Sequence, residues 1–329
     1  MKKFLITLLA VPVVAALVLA GLILWPVAEK PEPFASITDP FADVDYSDMA
    51  GIAFADARDG VGIAYRRYDA QDPRAAALLL HGSSADSQSM HPLAKALAAS
   101  GVTAYAIDIR GHGATGLRGD VAHIGQPAED VEDFLAFMRD QHPRLPISLL
   151  GFSSGGGLAL NAAGQGHAPD IAKLVLVSPM LGVDAKSSTA DNPHAAERAW
   201  AYPNIPRIIG LSILNGFGFH QLDYLPAIVF AAANRPNLTP VYSHRLLISM
   251  NPQDTDALLA EVDAPLTLLA GEKDEVFAAQ AYAETVKPAL PQAEIKLLQE
   301  LGHVAMTLDP AALDALAAVI PRNTQLALR

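Results

Sequence analysis

The sequence predicts an α/β fold, with a mostly parallel central sheet, helices on both faces and an inserted helical cap. Three observations predict it. Short, apolar, β-prone runs alternate with segments of helical spacing along most of the chain. One run, Ile147-Ser148-Leu149-Leu150, ends in Gly151-Phe152-Ser153-Ser154-Gly155 and opens into the small residues of a helix start, the setting of a sharp strand-to-helix turn that lifts a serine clear of the sheet. Between Ser178 and Val262 the alternation stops, and short apolar pieces among prolines take its place before two further strands follow.

At 329 residues the chain has room for one large domain with an insertion or for two small ones. Its formal net charge of -12 and its lack of a long basic run argue against a nucleic-acid backbone as partner. With no cysteine there is no disulfide, thiolate metal site or cysteine nucleophile. The residues are 51% hydrophobic, and part of that excess falls in the first thirty.

In chain order, Lys2 and Lys3 precede an apolar run from Phe4 to Trp25, broken by Thr7, Pro12 and Gly21. As a helix its roughly 22 residues reach about 30 Å, the thickness of a bilayer core. Residues 1–28 therefore read as a single-pass signal anchor, with a cleaved signal peptide or a buried helix as alternatives; Trp25-Pro26-Val27-Ala28 makes a poor cleavage site. The two lysines would stay in the cytoplasm, placing the bulk of the protein on the far side of the cytoplasmic membrane, in the periplasm of a Gram-negative cell, or outside it after cleavage. Residues 29–48, with prolines at 31, 33 and 40 and no period, read as a linker raising the domain off the membrane.

The first part of the core is expected over residues 49–178. Gly51 to Ala55 and Val61 to Tyr68 flank Arg58-Asp59-Gly60, a hairpin signal. Ala75 to Leu80 and Val102 to Asp108 read as buried strands, separated by a helix over Met90 to Ser100 with Leu93 and Leu97 on one face. Glu129 to Arg139 is a second helix, its Val131, Phe134, Leu135 and Met138 spaced i, i+3, i+4, i+7. The turn serine's strand and helix follow, then a strand over Lys173 to Val177. Residues 179–262 read as a mainly helical cap rather than a long irregular loop, because such loops are uncommon in compact domains. Residues 263–329 close the core with strands Leu266 to Ala270 and Glu294 to Leu298, a helix over Asp309 to Ile320, and a loose tail from Pro321 to Arg329.

Ser153 needs a base to take its proton, and the base needs an acid to orient it. On this architecture they follow in the order serine, acid, histidine, each just past a strand. Asp274 lies in Gly271-Glu272-Lys273-Asp274-Glu275 after the Leu266 strand, with Glu272 and Glu275 as rival acids. His303 follows the last strand behind Gly302 and is the only histidine after that turn. Leu78-Leu79-Leu80 runs into His81-Gly82-Ser83-Ser84, so the backbone N–H of Ser83 pairs with that of Ser154 as a candidate oxyanion hole. His81 reads as a loop-holding residue. Asp108-Ile109-Arg110-Gly111-His112-Gly113 lacks zinc-ligand spacing and is no phosphate loop. Its Asp108, Arg110 and His112 read as a hydrogen-bonded turn supporting the serine.

These motifs, His81-Gly82, Asp108-x-Arg-Gly-His-Gly113, Gly151-Phe-Ser-Ser-Gly-Gly156, Gly271-Glu-Lys-Asp274 and Gly302-His303, resemble the α/β-hydrolase superfamily. They are most similar to its monoacylglycerol lipase and lysophospholipase branch, sometimes grouped with serine aminopeptidases, over roughly Gly51 to Ile320. The resemblance implies Ser153, Asp274 and His303 as a catalytic triad and backbone donors at Ser83 and Ser154. The chain departs from the family in having Phe152 and Ser154 where a histidine and a methionine or glutamine usually flank the serine. The expectation is a serine hydrolase of carboxylic esters, with single-chain acyl lipids as substrates and no metal or cofactor. An aminopeptidase holding an amine with Asp184, Asp191, Glu197, Asp223, Asp254 or Asp256 is a rival reading. Others are an acyltransferase and a non-catalytic binding protein of the same fold.

Overall fold

The computed structural model describes residues 2–322, with side chains from Val11 onward. Helix α1 (Lys2–Ile23) leads into the short helix α2 (Ala35–Thr38) and a 3-10 turn at Asp39–Ala42. The first half of the core then runs β1 (Ile52–Asp56), β2 (Gly62–Tyr68), β3 (Ala75–Leu80), α3 (His91–Ala99), β4 (Val102–Ile107), α4 (Gln126–Gln141), β5 (Ile147–Phe152), α5 (Ser154–Gly164) and β6 (Lys173–Val177). The insertion holds α6 (Lys186–Thr189), β7 (Ala201–Pro203), α7 (Ile205–Gly216), β8 (Pro226–Phe230), β9 (Val241–Ser243), α8 (His244–Met250) and α9 (Thr255–Ala260). The chain returns through β10 (Leu266–Gly271), α10 (Tyr282–Val286), β11 (Glu294–Leu298) and α11 (Pro310–Val319).

The central sheet has eight strands in the order β1-β2-β4-β3-β5-β6-β10-β11. The β1–β2 and β2–β4 pairs are antiparallel, and the rest are parallel. Side chains alternate faces along a strand, so a parallel strand covered on both sides must be apolar throughout. Strand β3 obeys this rule: Leu78 and Leu80 pack with Phe134, Leu149 and Leu158 on one face, and Leu79 packs with Leu93, Leu97 and Leu316 on the other. Helices α4 and α5 cover the first face, α3 and α11 the second. Parallel strands all end on one edge, and Ser83, Ser153, Asp274 and His303 lie on that edge in the loops after β3, β5, β10 and β11.

The insertion is helical in α6, α7, α8 and α9, and beside these β7, β8 and β9 form a three-stranded antiparallel sheet that was not expected. Two expectations change. No helix among the described residues is long and apolar enough to cross a membrane. This overturns the reading of residues 1–28 as an anchor, and with it the membrane attachment and the extracytoplasmic placement. Hydropathy had left out what α1 packs against. Its C-terminal end docks on α7, where Ile23 is buried and lies against the bare backbone of Gly210. Arg207 of α7 donates to the carbonyls of Ile23 and Trp25, each at 2.7 Å, satisfying orphan acceptors at the helix end. Residues 34–46 are not a free spacer either: Phe34 is buried and donates its N–H to Ala231 O at 2.8 Å, and Ile37 and Phe41 pack against the core. Residues 323–329 of the tail lie outside the described residues.

Candidate active site

The site starts from a strained residue. Ser153 has φ +54° and ψ -120°, a backbone conformation that non-glycine residues rarely adopt. Strand β5 fixes it on one side, where Ser153 N–H donates to Val177 O at 2.9 Å, and α5 starts at the next residue. Glycine is required around it for space. A Cβ on Gly151 would strike the carbonyl of Gly155, and one on Gly155 would strike the carbonyls of Leu80 and His81. The turn therefore brings α5 against the end of β3, with Ser83, Ser153 and Ser154 on the wall of one cleft.

The Ser153 hydroxyl lies 3.0 Å from His303 Nε2. The other ring nitrogen, His303 Nδ1, lies 2.8 Å from Asp274 Oδ2. A carboxylate at Nδ1 keeps that nitrogen protonated, leaving Nε2 as the lone pair facing serine. Asp274 is fully buried, and its second oxygen accepts N–H donors from Val276 and Phe277, each at 2.9 Å. Burial alone would raise its pKa. The His303 ring and the two N–H donors outweigh burial and hold it below the ordinary aspartate value. The rivals sit elsewhere: Glu275 accepts the backbone N–H of His303 at 2.9 Å, not its ring, and Glu272 is exposed. Phe152, where the resembled family has histidine, stacks on the His303 ring at 4.9 Å, and Phe277 borders it at 5.5 Å.

The supporting residues tie the surrounding loops together, and among the described residues none of them hydrogen-bonds to Ser153 or His303. His81 bonds to Gly82 O through Nδ1 at 2.8 Å, and its Nε2 accepts the N–H of Ile109 at 3.1 Å. Asp108 accepts N–H groups from Ser87 and Ala114, both at 2.8 Å. Arg110 is buried and forks onto Asp130, with both contacts at 2.7 Å, while also reaching Asp59. No cluster of histidine, cysteine or carboxylate residues that could hold a metal occurs among the described residues.

Two compartments meet at Ser153. The larger is a cleft of about 1150 Å³, lined by Met180, Trp200, Ile208, Phe230, Met250 and Phe277 among others. Of the acids named above as possible amine holders, Asp184, Glu197, Asp254 and Asp256 border this cleft and are exposed. Asp191 is exposed, and Asp223 is buried between His220 and His244. The smaller compartment, about 90 Å³, is bordered by Ser153 and His303 and has a mixed wall that includes Asp86, Gln88 and Asn237 beside Leu238 and Val304. Residues 34–46 contribute to both: Phe34 lines the cleft, and Ile37, Thr38, Phe41 and Tyr46 line the small compartment. The sequence reading missed these, as well as Trp200 and Tyr242. The one local signal was the cluster of aromatic and aliphatic residues inside a proline-containing stretch.

A family model described as serine aminopeptidase, S33 matches residues 71–310. The monoacylglycerol lipase of Mycolicibacterium smegmatis is 29% identical over 212 residues, 62% of this chain and 72% of that protein. The monoglyceride lipase of Homo sapiens is 32% identical over 128 residues, 38% of this chain and 41% of that protein. In structure, a soluble variant of monoglyceride lipase from Saccharomyces cerevisiae aligns with a TM-score of 0.60 at 18% identity, over 88% of this chain and 96% of the other.

Proposed function

The chain belongs to the serine aminopeptidase, S33 family of α/β hydrolases, and from that premise we propose that it hydrolyses carboxylic esters of single-chain acyl compounds, such as a monoacylglycerol or a lysophospholipid, through an acyl-enzyme on Ser153. One observation carries the reading: the chain Asp274–His303–Ser153 opens on a long, mostly apolar cleft. An acyl chain suits that cleft, and a small alcohol suits the roughly 90 Å³ compartment that also borders the serine, where Asp86, Gln88 and Asn237 offer hydrogen-bond partners.

In the first half-reaction Ser153 Oγ attacks the ester carbonyl carbon while its proton passes to His303 Nε2. The resulting imidazolium is stabilised by Asp274. The carbonyl oxygen becomes an oxyanion beside the N–H groups of Ser83 and Ser154, the latter at the positive end of α5. On collapse the C–O bond breaks, and the alcohol leaves with the proton from His303. In the second half-reaction His303 takes a proton from water, hydroxide adds to the acyl carbon, and the carboxylic acid leaves as Ser153 regains its proton.

An aminopeptidase would need a free carboxylate to hold the substrate amine; Asp184, Glu197, Asp254 and Asp256 on the cleft wall are exposed, and Glu275, also on that wall, accepts the backbone N–H of His303. The test is hydrolysis of p-nitrophenyl esters from acetate to laurate beside aminoacyl p-nitroanilides, with Ser153→Ala as blank. Ester cleavage that rises with acyl length supports the reading. Cleavage of aminoacyl amides in preference to esters, or of acetate alone, contradicts it.

A further inference from the structure

Tyr242 belongs to β9 in the insertion, yet its hydroxyl reaches the loop after β3 that carries Ser83. It is buried, and burial pushes its phenol up, so it remains a neutral O–H. Two groups meet this hydroxyl. The backbone N–H of Ser84 lies at 2.6 Å, and His112 Nε2 lies at 2.6 Å on the other side.

The direction of each hydrogen bond follows from elimination. His112 Nδ1 faces only carbonyls, Ile109 O at 3.2 Å and Arg110 O at 3.3 Å. A carbonyl cannot donate, so Nδ1 carries the proton. Burial and the neighbouring His81 hold His112 neutral, which leaves Nε2 a bare acceptor. The Tyr242 hydroxyl must then donate to Nε2, and its oxygen must accept from Ser84. The same segment is sewn down twice more: Thr239 N–H donates to Ser84 O at 2.8 Å, and Ser84 Oγ donates to Thr239 O at 2.7 Å.

These bonds fix the oxyanion loop from both sides. His81 Nδ1 holds the carbonyl of the Gly82–Ser83 peptide, and the N–H of a trans peptide points opposite to its carbonyl, so the direction of Ser83 N–H is set. Tyr242 holds the N–H of the next peptide, Ser83–Ser84. Ser84 sits at φ +68°, a conformation that relaxes once it is not held.

We propose that Tyr242 is a positioning residue for the oxyanion hole: its hydroxyl, supplied by the insertion and backed by His112, locks the loop that aims the Ser83 N–H at the reacting carbonyl. The inference rests on the reading of Ser153 as nucleophile. Its consequence is that the transition-state site is complete only while residues 239–242 sit on the core, so the insertion governs catalysis as well as access.

Tyr242→Phe keeps the ring and removes the hydroxyl. The expected result is a fall in kcat of about 10–100-fold, less than the roughly 10²–10³-fold for removing an oxyanion donor outright because the donor is misaimed rather than lost, and a KM within about twofold. The inhibition constant of phenylboronic acid, whose tetrahedral adduct on Ser153 places an oxygen in the oxyanion hole, should rise by the factor that kcat falls. The pH dependence of kcat should keep its shape, because Asp274 and His303 are untouched. A Tyr242→Phe protein with native near-ultraviolet circular dichroism and unchanged kcat and boronate affinity overturns the proposal, as does a loss confined to KM. Where Tyr242→Phe does not fold, His112→Phe, which leaves the phenol without its acceptor, should show the same paired loss in kcat and boronate affinity; no loss there overturns the proposal as well. Fluorophosphonate labelling separates the two levels. If wild-type Ser153 does not label, both the hydrolase reading and this inference fall. If it labels and the variants keep wild-type kcat and boronate affinity, only this inference falls.

Discussion

The two sides of Ser153 are built in different ways. On one side, His303 and Asp274 come from the loops after neighbouring parallel strands β11 and β10, on the same sheet edge as the serine. On the other, the walls are assembled from pieces far apart in sequence: residues 34–46, Trp200, α7 and the small sheet of the insertion. The first side is positioned by the central sheet, in which β5 and β10 are buried throughout and the exposed edge strand β11 is paired along β10. The second is positioned by contacts between segments distant in sequence, such as Phe34 N–H on Ala231 O, Phe34 against Trp200 at 6.4 Å between ring centres, and Phe230 and Met250 packed into the core. A fixed reaction needs fixed geometry. The choice of substrate is set by wall side chains that can vary without moving the reacting groups.

Changes on the two sides should therefore differ in kind. The largest effect belongs to the sheet side. Asp274→Asn should lower kcat by roughly 10⁴-fold, since the amide no longer holds the His303 tautomer, and should do so equally for short and long esters. A loss that depended on acyl length would break the distinction. On the cleft wall, Ile208→Trp should lower kcat/KM for a laurate ester by roughly 10–100-fold while leaving an acetate ester within about twofold. A uniform loss would mean that the wall acts on chemistry.

The seam between the sides is read by pH. Burial depresses the pKa of both His81 and His112 below the ordinary value of 6.5. A depressed folded-state pKa means that the unfolded chain binds protons first as pH falls. The contribution of these residues is thus fully present above pH 6.5 and is lost progressively below it, by about 1.4 kcal/mol per pH unit for each histidine until its folded pKa is reached. Denaturant unfolding at stepwise lower pH should show this loss, and His112→Phe should make it shallower. The smallest change lies in the strap at residues 34–46. Phe41→Ala should raise kcat/KM for esters of bulky alcohols over small ones by a few-fold at constant acyl chain, with acyl-length preference unaltered.

The same contrast explains what the sequence discloses. Ala75–Leu80 and Lys173–Val177 could be read as strands because doubly covered strands are apolar at every position and end at turn residues. The order Ser153, Asp274, His303 was visible because Ser153 and Asp274 follow such strands and His303 follows the last β-prone run, the exposed edge strand β11. Strands β7 and β9 are three residues long and gain their identity from pairing with β8, a long-range contact that leaves no periodic trace. The apolar segment before Trp25 carries a strong hydropathy signal. What decides its reading is α7, whose Gly210 and Arg207 accept the helix end from far along the chain. Tyr242 was invisible for a similar reason: its role depends on partners at Ser84 and His112.

The central claim is that Ser153 carries the acyl group of an ester substrate between two half-reactions. Quenching the enzyme in acid during turnover of p-nitrophenyl laurate, then digesting it and weighing the peptides, tests this directly. The account predicts a lauroyl adduct on the peptide containing Ser153, absent in Ser153→Ala. Product formation with that peptide unmodified, or an adduct on another residue that persists in Ser153→Ala, would contradict it.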